Sequence, residues 1–239
     1  MTLDAVIADN LRAVRTRMDA AARRVSRDPG DVTLIAVSKT FPSDYVRAAA
    51  VAGQREFGEN KVQEALQKIG ETADITLRWH LIGHLQSNKA RKAAPSFACI
   101  HSIDSVDLLE RVDSAAADAG ATPDVLVQVD LAGEESKFGA PEDAARRIVD
   151  AALEARAVKL AGLMLVPPWN EDQEQTRPWF RRLSDLRDEW VGGGIEPKWL
   201  RHLSMGMSHD FEAAIEEGST LVRVGTAIFG KRTYKESNV

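Results

Sequence analysis

The sequence has few of the residues that stabilise secreted or membrane-spanning proteins. Its 239 residues include one cysteine, Cys99, so no intramolecular disulfide bond can form, and we expect a cytoplasmic protein. Cys99 lies in the apolar-flanked run Phe97-Ala98-Cys99-Ile100, which favours a buried thiol over a reactive one. The N-terminus lacks the layout of a signal peptide, and no apolar run approaches the roughly 20 residues of a membrane span.

The sequence also lacks an excess of basic side chains. It carries 31 Lys and Arg against 36 Asp and Glu, well mixed, for a net charge of −5. Proteins that bind nucleic acid by neutralising its phosphates are usually basic, so we expect no nucleic-acid partner. His101, His202 and His209 do not form a metal-ligand spacing, and we expect no metal site.

Strand-like and helix-like segments alternate along the chain. An amphipathic helix comes first, with apolar residues at three- and four-residue steps from Leu3 to Val25. Eight apolar strands then alternate with helices; the predicted strands are 32–39, 55–60, 78–83, 97–104, 124–131, 158–166, 199–205 and 220–229.

Strands that are apolar on both faces and separated by helices are typical of a parallel sheet covered by helices. Eight such units, with nothing left for a second core, predict one (β/α)₈ barrel domain over residues 1–239 with an extra N-terminal helix. An open doubly wound sheet is the alternative. Its usual Gly-x-Gly-x-x-Gly after the first strand is absent, and Ser38-Lys39-Thr40 stands there instead.

Lys39 ends the first predicted strand, after the apolar run Thr33-Leu34-Ile35-Ala36-Val37. In these barrels the chemistry lies at the carboxyl ends of the strands, so this side chain would enter the barrel mouth. A partly desolvated lysine loses its proton more easily, and its free amine can then form an imine. The alternative is a lysine that extends to solvent from a strand end.

Small and hydroxyl-bearing residues follow the seventh and eighth strands, in Ser204-Met205-Gly206-Met207-Ser208 and in Gly225-Thr226. Phosphate sites in such barrels are often built from these loops, where backbone N–H groups and hydroxyls meet the anion. The alternative is that Ser208 only caps a helix and Gly225 is a bend. Their coincidence with Lys39 favours the phosphate site.

Arg223 interrupts an otherwise apolar strand, and a buried arginine needs a partner because an unpaired buried charge is costly. One hypothesis is a structural ion pair with an acidic neighbour such as Glu59. The other is a donor to the ring nitrogen of a bound cofactor, which would keep a pyridine nitrogen unprotonated and make the cofactor a poor electron sink.

Five segments together resemble the pyridoxal 5′-phosphate (PLP) homeostasis protein family, which is similar in fold to the barrel domain of alanine racemase. The segments are Ala36-Val37-Ser38-Lys39, Phe57-Gly58-Glu59-Asn60-Lys61-Val62-Gln63-Glu64, Trp79-His80-Leu81-Ile82-Gly83-His84-Leu85-Gln86-Ser87-Asn88-Lys89, Ser204-Met205-Gly206-Met207-Ser208 and Val222-Arg223-Val224-Gly225-Thr226-Ala227-Ile228-Phe229-Gly230. The resemblance covers nearly the whole chain, and the combination of motifs is highly specific.

The resemblance implies a role for each cofactor position. It implies that Lys39 bears PLP as an imine, that Arg223 meets the ring nitrogen, and that Asn60 lies near the ring hydroxyl. It implies that the phosphate is bound by Ser204, Gly225 and Thr226. His80 and the stretch Gln86-Ser87-Asn88-Lys89 match family positions, but the residues do not indicate their role; His80 could equally be an inner-barrel histidine with its hydrogen bonds satisfied.

Two classes of function remain open. The first is a carrier that buffers PLP or delivers it to apo PLP-dependent enzymes, as a monomer or weak dimer. The second is a PLP enzyme such as an amino-acid racemase, which needs an acid/base on each face of the substrate carbanion. Tyr45 and Tyr234 are the only tyrosines, and neither is well placed, so the carrier is favoured. A weaker third hypothesis is a barrel enzyme without PLP, in which Lys39 forms a Schiff base with a sugar phosphate.

Overall fold

Eight parallel strands close into a barrel in which neighbours follow chain order and the eighth strand pairs with the first. We obtained this fold from a computed structural model, which describes residues 1–133 and 138–231. The strands are β1 (Thr33–Val37), β2 (Glu56–Glu59), β3 (Arg78–Leu81), β4 (Cys99–Ile103), β5 (Asp124–Val129), β6 (Lys159–Leu165), β7 (His202–Met207) and β8 (Leu221–Val224). The closed barrel confirms the predicted (β/α)₈ fold.

Helices surround the barrel and connect its strands. They are α1 (Leu3–Arg24), α2 (Ser43–Val51), α3 (Val62–Glu71), α4 (Ala90–Ala93), α5 (Val106–Ala119), α6 (Glu142–Leu153), α7 (Arg177–Gly192), α8 (Phe211–Glu216) and α9 (Thr226–Phe229). Short 3₁₀ helices cover Pro29–Asp31, Ser87–Lys89, Gln173–Gln175 and Pro197–Leu200. In the part of the chain that the structure describes, no helix is both long and apolar enough to cross a membrane.

The additional N-terminal helix packs on the outside of the barrel, as predicted. Thr2 caps α1 by accepting a hydrogen bond from the Ala5 N–H at 3.3 Å. The apolar stripe of α1 is buried between α2, α8 and α9, and comprises Ile7, Leu11, Val14, Met18, Ala21 and Ala22. Its position is fixed by the side-chain amide of Asn10, which donates to the carbonyl of Ile228 at 2.8 Å.

The predicted extent of the eighth strand was wrong. The strand ends at Val224, and Thr226–Phe229 forms the short helix α9 after Gly225. The sequence shows only a continuous apolar run here, and a short run cannot distinguish a strand from a buried helical turn. The turn buries Ile228 and packs Phe229 against Phe41, with ring centroids 5.5 Å apart.

The barrel interior holds an apolar cluster and, beside it, several buried polar side chains. The apolar cluster comprises Ile35, Cys99, Leu126, Ala161, Met164 and Leu221. Cys99 is 4% exposed, which confirms the predicted buried thiol, and burial raises the pKa of that thiol so that it stays protonated. The buried polar side chains lie beneath the carboxyl ends of the strands and include His80, His101, Ser204 and Arg223.

Candidate functional site

A cavity of about 340 Å³ lies at the carboxyl ends of the strands. Five of the six residues predicted to bind the cofactor line it: Lys39, Asn60, Arg223, Gly225 and Thr226. The other lining residues are Val37, Ile82, Val166, Trp169, Met207, Ser208 and His209. The fold therefore brings together side chains that are up to 187 positions apart in the sequence, because parallel strands end at the same edge of the barrel.

Lys39 is half-buried and follows directly after Ser38, which continues the end of β1. The Ser38 hydroxyl donates to Glu59 Oε1 at 2.6 Å. Thr40 has a φ of +70°, which is unusual for a β-branched residue, and its N–H donates to Glu64 at 2.5 Å. Carboxylates therefore hold the Ser38 side chain before Lys39 and the Thr40 backbone after it.

A buried lysine completes this arrangement. Lys68 Nζ donates to the Ser38 carbonyl and to Glu59 Oε1, each at 2.7 Å, and lies 3.1 Å from Glu64. Burial raises the pKa of Glu59, and the charge and hydrogen bond of Lys68 offset only part of that effect. We refer to Ser38, Glu59, Glu64 and Lys68 as the Lys39 network.

Asn60 reaches the cavity because Gly83 allows a close approach between two loops. A Cβ atom at Gly83 would overlap the carbonyl oxygen of Asn60 and lie 2.7 Å from its Cα. Only glycine leaves room for the backbone of Asn60 in this position. Gly83 thus sets where the Asn60 side chain meets the cavity.

Arg223 forms part of the cavity wall but is only 4% exposed. Its guanidinium donates to Ser204 Oγ at 2.6 Å and to the Leu165 carbonyl at 2.9 Å. Burial lowers the pKa of Arg223 to about 10, and the charge of Asp210 works in the opposite direction. Arg223 therefore remains a cation near neutral pH. Glu59, the partner considered from the sequence, pairs with Lys68 instead.

Ser204 does not line the cavity. It is completely buried, and its hydroxyl contacts Arg223 and His101 Nδ1, the latter at 2.8 Å. The hydroxyl in the cavity wall after β7 is that of Ser208, which accepts hydrogen bonds from the N–H groups of Gly225 at 3.1 Å and Ala227 at 3.5 Å. The spacing of small residues indicated this loop but could not tell which of its serines faces the cavity.

Beneath Ser204 the structure contains a histidine pair that the sequence analysis missed. His80 Nδ1 lies 2.9 Å from His101 Nε2, and His80 Nε2 lies 2.6 Å from Glu56. His80 is thus an inner-barrel histidine whose two ring nitrogens both have partners, which was one of the two alternatives. We refer to Glu56, His80, His101 and Ser204 as the Arg223 network.

These histidines also lie beside Cys99. One potential ligand atom each from His80, Cys99 and His101 lies within 4.8 Å of the others. The two facing ring nitrogens, however, are at a hydrogen-bond distance from each other, and each ring is also bonded on its far side. That geometry satisfies both rings without a metal, and the expected absence of a metal stays a prediction.

Tyr45 does not contribute to the cavity wall. It packs on Phe41 and Phe229, with ring centroids 5.0 Å and 6.3 Å away. Tyr234 lies outside the described residues. Trp169, which is 70% exposed, and His209 contribute to the cavity mouth and were not anticipated, because they lie in loops with no pattern of their own.

The family model described as the alanine racemase N-terminal domain matches residues 9–233. The fold and the site therefore place the chain in that class of proteins. The chain is 45% identical over 230 residues to a pyridoxal phosphate homeostasis protein from Pseudomonas aeruginosa, covering 95% of this chain and 96% of that protein. It is 40% identical over 229 residues to the protein of the same name from Aquifex aeolicus, covering 95% and 98%.

A solved structure is similar at the same level. PipY from Synechococcus elongatus, with PLP bound, matches with a TM-score of 0.83 and 40% identity, covering 94% of this chain and all of that one. The chain therefore belongs to the pyridoxal phosphate homeostasis protein family.

Proposed function

We propose that this protein holds PLP on Lys39 in the cavity and serves PLP homeostasis as a carrier that buffers the cofactor or delivers it. The observation that supports this most directly is that one cavity is lined by a lysine, an arginine and a loop of small and hydroxyl-bearing residues. Each of these groups matches one part of PLP: the aldehyde, the ring nitrogen and the phosphate. The PLP-bound relative at 40% identity supports the same assignment.

The cavity suits a ligand of this size and charge. Its volume of about 340 Å³ is at the lower end of the range typical of small-molecule sites. Lys39 and Arg223 supply positive charge toward a ligand whose phosphate is anionic, and Val37, Ile82 and Val166 supply apolar walls for a flat ring. PLP supplies an aldehyde, which condenses with the Lys39 amine to form a carbon–nitrogen double bond and releases water.

Arg223 is proposed to meet the ring nitrogen. A guanidinium offers only N–H donors. It can therefore donate to the lone pair of an unprotonated ring nitrogen, but it cannot accept a hydrogen bond from a protonated one. Its two described hydrogen bonds fix it to the end of β6, through Leu165, and to the middle of β7, through Ser204. The consequence is a ring nitrogen that stays unprotonated, which weakens carbanion stabilisation by the cofactor.

The phosphate is proposed to lie at the junction of the β7 and β8 loops. Thr226 is exposed at the cavity, and Gly225 is half-buried beside it. Ser208 ties the two loops together through its hydrogen bonds from Gly225 and Ala227. We assign Ser208 to this position in place of Ser204, since Ser204 is buried beneath Arg223. Asn60, on the opposite loop, is proposed to lie near the ring hydroxyl.

A carrier fits the site better than a racemase. Racemisation needs a second acid/base on the far face of the cofactor, in addition to the lysine. Among the described cavity residues, the titratable groups besides Lys39 and Arg223 are limited to His209, which is exposed and directed to the carbonyl of Asn170 at 3.0 Å. Tyr45 is held in an aromatic cluster away from the wall.

The remaining features of the proposal follow the carrier function. We propose one PLP-binding domain over residues 1–239, a cytoplasmic protein, and a monomer or weak dimer whose partners are PLP and apo PLP-dependent enzymes. The site is reached from solvent through the exposed residues Trp169, His209 and Thr226. This accessibility suits the exchange of a cofactor.

The absorption spectrum of the purified protein with PLP tests the proposal. We expect a near-visible imine band that Lys39→Ala removes while the fold persists. Lys61→Ala is the matched control, since Lys61 is an exposed lysine next to Asn60. Loss of the band in the Lys61 variant, or its persistence in the Lys39 variant, would reject the assignment.

Deuterium exchange at Cα of alanine in heavy water separates a carrier from a racemase. A carrier shows no Lys39-dependent exchange with inversion. Exchange with inversion at the roughly 1–10³ per second typical of enzymes would establish the racemase instead. Transfer of PLP to an apo PLP enzyme, followed by recovery of that enzyme's activity, then tests delivery.

A further inference from the structure

A continuous chain of hydrogen bonds crosses the barrel interior from the amino end of β2 to the cavity. Arg223 donates to Ser204 at 2.6 Å, Ser204 contacts His101 at 2.8 Å, and His101 contacts His80 at 2.9 Å. The chain ends at Glu56, 2.6 Å from His80. Glu56 is itself held by Arg78 at 3.0 Å.

One arrangement of the protons lets every donor in the chain meet an acceptor. Arg223 can only donate, so Ser204 accepts from it, and in this arrangement the hydroxyl gives its own hydrogen to His101 Nδ1. His101 then carries its proton on Nε2 and donates to His80 Nδ1. His80 in turn carries its proton on Nε2 and donates to Glu56, an acceptor when ionised. All four bonds therefore run in one direction, from the cavity to the carboxylate.

Charge and burial agree with this assignment. Burial, the largest cause, holds the pKa of His101 well below its ordinary value, and the charge of Arg223 acts in the same direction, so His101 is neutral. Burial also raises the pKa of Glu56, but the hydrogen bond with His80 and the other interactions around the carboxylate, which include the charge and hydrogen bond of Arg78, outweigh it, and the pKa lies below its ordinary value. Glu56 is therefore ionised near neutral pH and accepts.

This chain of hydrogen bonds fixes the orientation of one hydroxyl, that of Ser204. A serine hydroxyl rotates freely and can present either its hydrogen or its lone pairs to a neighbour. His101 takes the hydrogen, so the lone pairs of Ser204 face Arg223 and only the arginine can donate between them. The Leu165 carbonyl fixes a second nitrogen of the guanidinium. Two of its five N–H groups are thus engaged at the barrel interior, which leaves the others for the cavity.

We propose that the Arg223 network is a set of positioning residues that orients Arg223 toward the ring nitrogen of the bound cofactor. The assignment of the cofactor rests on the proposed function, whereas the proton arrangement does not. The polar chain lies beside Ile35, Met164 and Leu221 in an otherwise apolar interior, where polar groups are costly unless each has a partner. Its influence on Arg223 decreases along the chain, from Ser204 to His101 to Glu56.

The proton arrangement is tested first on the protein without PLP. Imidazole ¹⁵N chemical shifts from long-range ¹H–¹⁵N spectra report which nitrogen of each histidine bears the proton. We expect His80 and His101 both to be neutral and protonated on Nε2. A proton on Nδ1 of either ring, or an imidazolium at neutral pH, overturns the proposal whether or not the protein binds PLP.

The positioning role is tested with PLP labelled with ¹⁵N at its ring nitrogen. We expect Ser204→Ala to shift the ring-nitrogen resonance and to weaken PLP binding roughly tenfold, the weight of one hydrogen bond to a charged group. His101→Leu should shift the resonance less, and Glu56→Gln least. Imine formation on Lys39 should persist in all three, because Lys39 has its own network.

Cys99→Ala is the matched control. Cys99 lies two residues before His101 on β4 and is also buried, but it is not part of the chain. This variant creates a small cavity in the same interior without breaking a hydrogen bond, so the ring-nitrogen resonance should not move. An equal shift in Cys99→Ala, or no shift in folded Ser204→Ala, would show that the network is only structural. If wild-type protein fails to bind PLP, the proposed function fails and the histidine tautomers still decide the proton arrangement.

Discussion

The two cationic residues of the cavity are supported in different ways. Under Lys39, the support is ionic: Lys68 pairs with Glu59 and contacts Glu64, and these groups hold backbone atoms of Ser38 and Thr40. Under Arg223, the support is a hydrogen-bonded chain of one hydroxyl and two histidines that ends in a carboxylate. One network fixes the main chain, and the other fixes a side chain.

The difference fits the roles proposed for the two residues. The Lys39 side chain is proposed to form and break a covalent bond, and its network holds the loop around it. Arg223 is proposed to keep a fixed direction, and its network acts on the guanidinium itself. A carboxylate paired directly with Arg223 would compete with a cofactor nitrogen for the same donors, whereas the Ser204 hydroxyl and the Leu165 carbonyl leave its net charge in place.

Breaking the ion pair should have the largest effect. Lys68→Met leaves the carboxylate of Glu59, which is completely buried, without its cation. We expect the free energy of unfolding to fall by about 3–5 kcal/mol at pH 7, measured by denaturant titration. The double variant Lys68→Met/Glu59→Leu should recover most of that loss, because it leaves no unpaired charge. If the single variant is as stable as wild type, the buried pair does not support the loop.

The pH dependence of the same variant sharpens the comparison. Burial raises the folded-state pKa of Glu59, and loss of Lys68 removes an effect that lowers it. Protonation of Glu59 therefore stabilises the folded protein at pH values below the pKa that Glu59 has in the unfolded chain. This stabilisation is lost as the pH rises through the pKa of Glu59 in the folded protein. The deficit of Lys68→Met relative to wild type should be smaller at pH 4 than at pH 7. A constant deficit would mean that the lost packing of Lys68, not its charge, is responsible.

Thr226 tests the Arg223 side of the cavity. Thr226→Val removes a hydroxyl that is proposed to serve only the phosphate, and it should cost about 1.5–3 kcal/mol of PLP binding. Binding of pyridoxal, which lacks the phosphate, should be nearly unchanged. Equilibrium titrations of both ligands provide the comparison, and equal losses for the two would place the phosphate elsewhere.

Gly83 tests the Lys39 side by steric means. Gly83→Ala places a methyl group against the backbone of Asn60 and should destabilise the protein by about 1–3 kcal/mol while also weakening PLP binding. Gly70→Ala, in α3, is the control, since a Cβ there meets nothing within 4 Å. That variant should be as stable as wild type or slightly more so. Similar results for both variants would contradict the close approach.

The barrel followed from sequence patterns, and five of the six residues predicted from patterns and from the family resemblance to bind the cofactor line one cavity. Apolar periodicity and strand count predict which strand ends meet, which placed Lys39 and Gly225 at one cavity. The patterns do not give the register between strands or the direction of a side chain within a loop. The resemblance therefore assigned Ser204 to the phosphate, whereas Ser208, four residues later, was left open between a phosphate loop and a helix cap.

His101 was missed for a related reason. It stands within an apolar run, as Arg223 does, and the same signal could have found it: a polar side chain in a strand buried on both faces. Its partners, however, come from β3 and β7, and no local pattern pairs residues across a barrel. The Lys68–Glu59 pair joins a helix to a strand end, and the apolar periodicity of the sequence gives no indication of it either.

The central claim is that PLP is held on Lys39. Borohydride reduction of the PLP-loaded protein converts the imine into a stable secondary amine, and peptide mass spectrometry then locates the label. We expect one cofactor per chain, on the peptide that contains Lys39, and no label in the unreduced sample after denaturation. A label on Lys61, Lys68 or any other lysine, with Lys39 unmodified, would contradict the account.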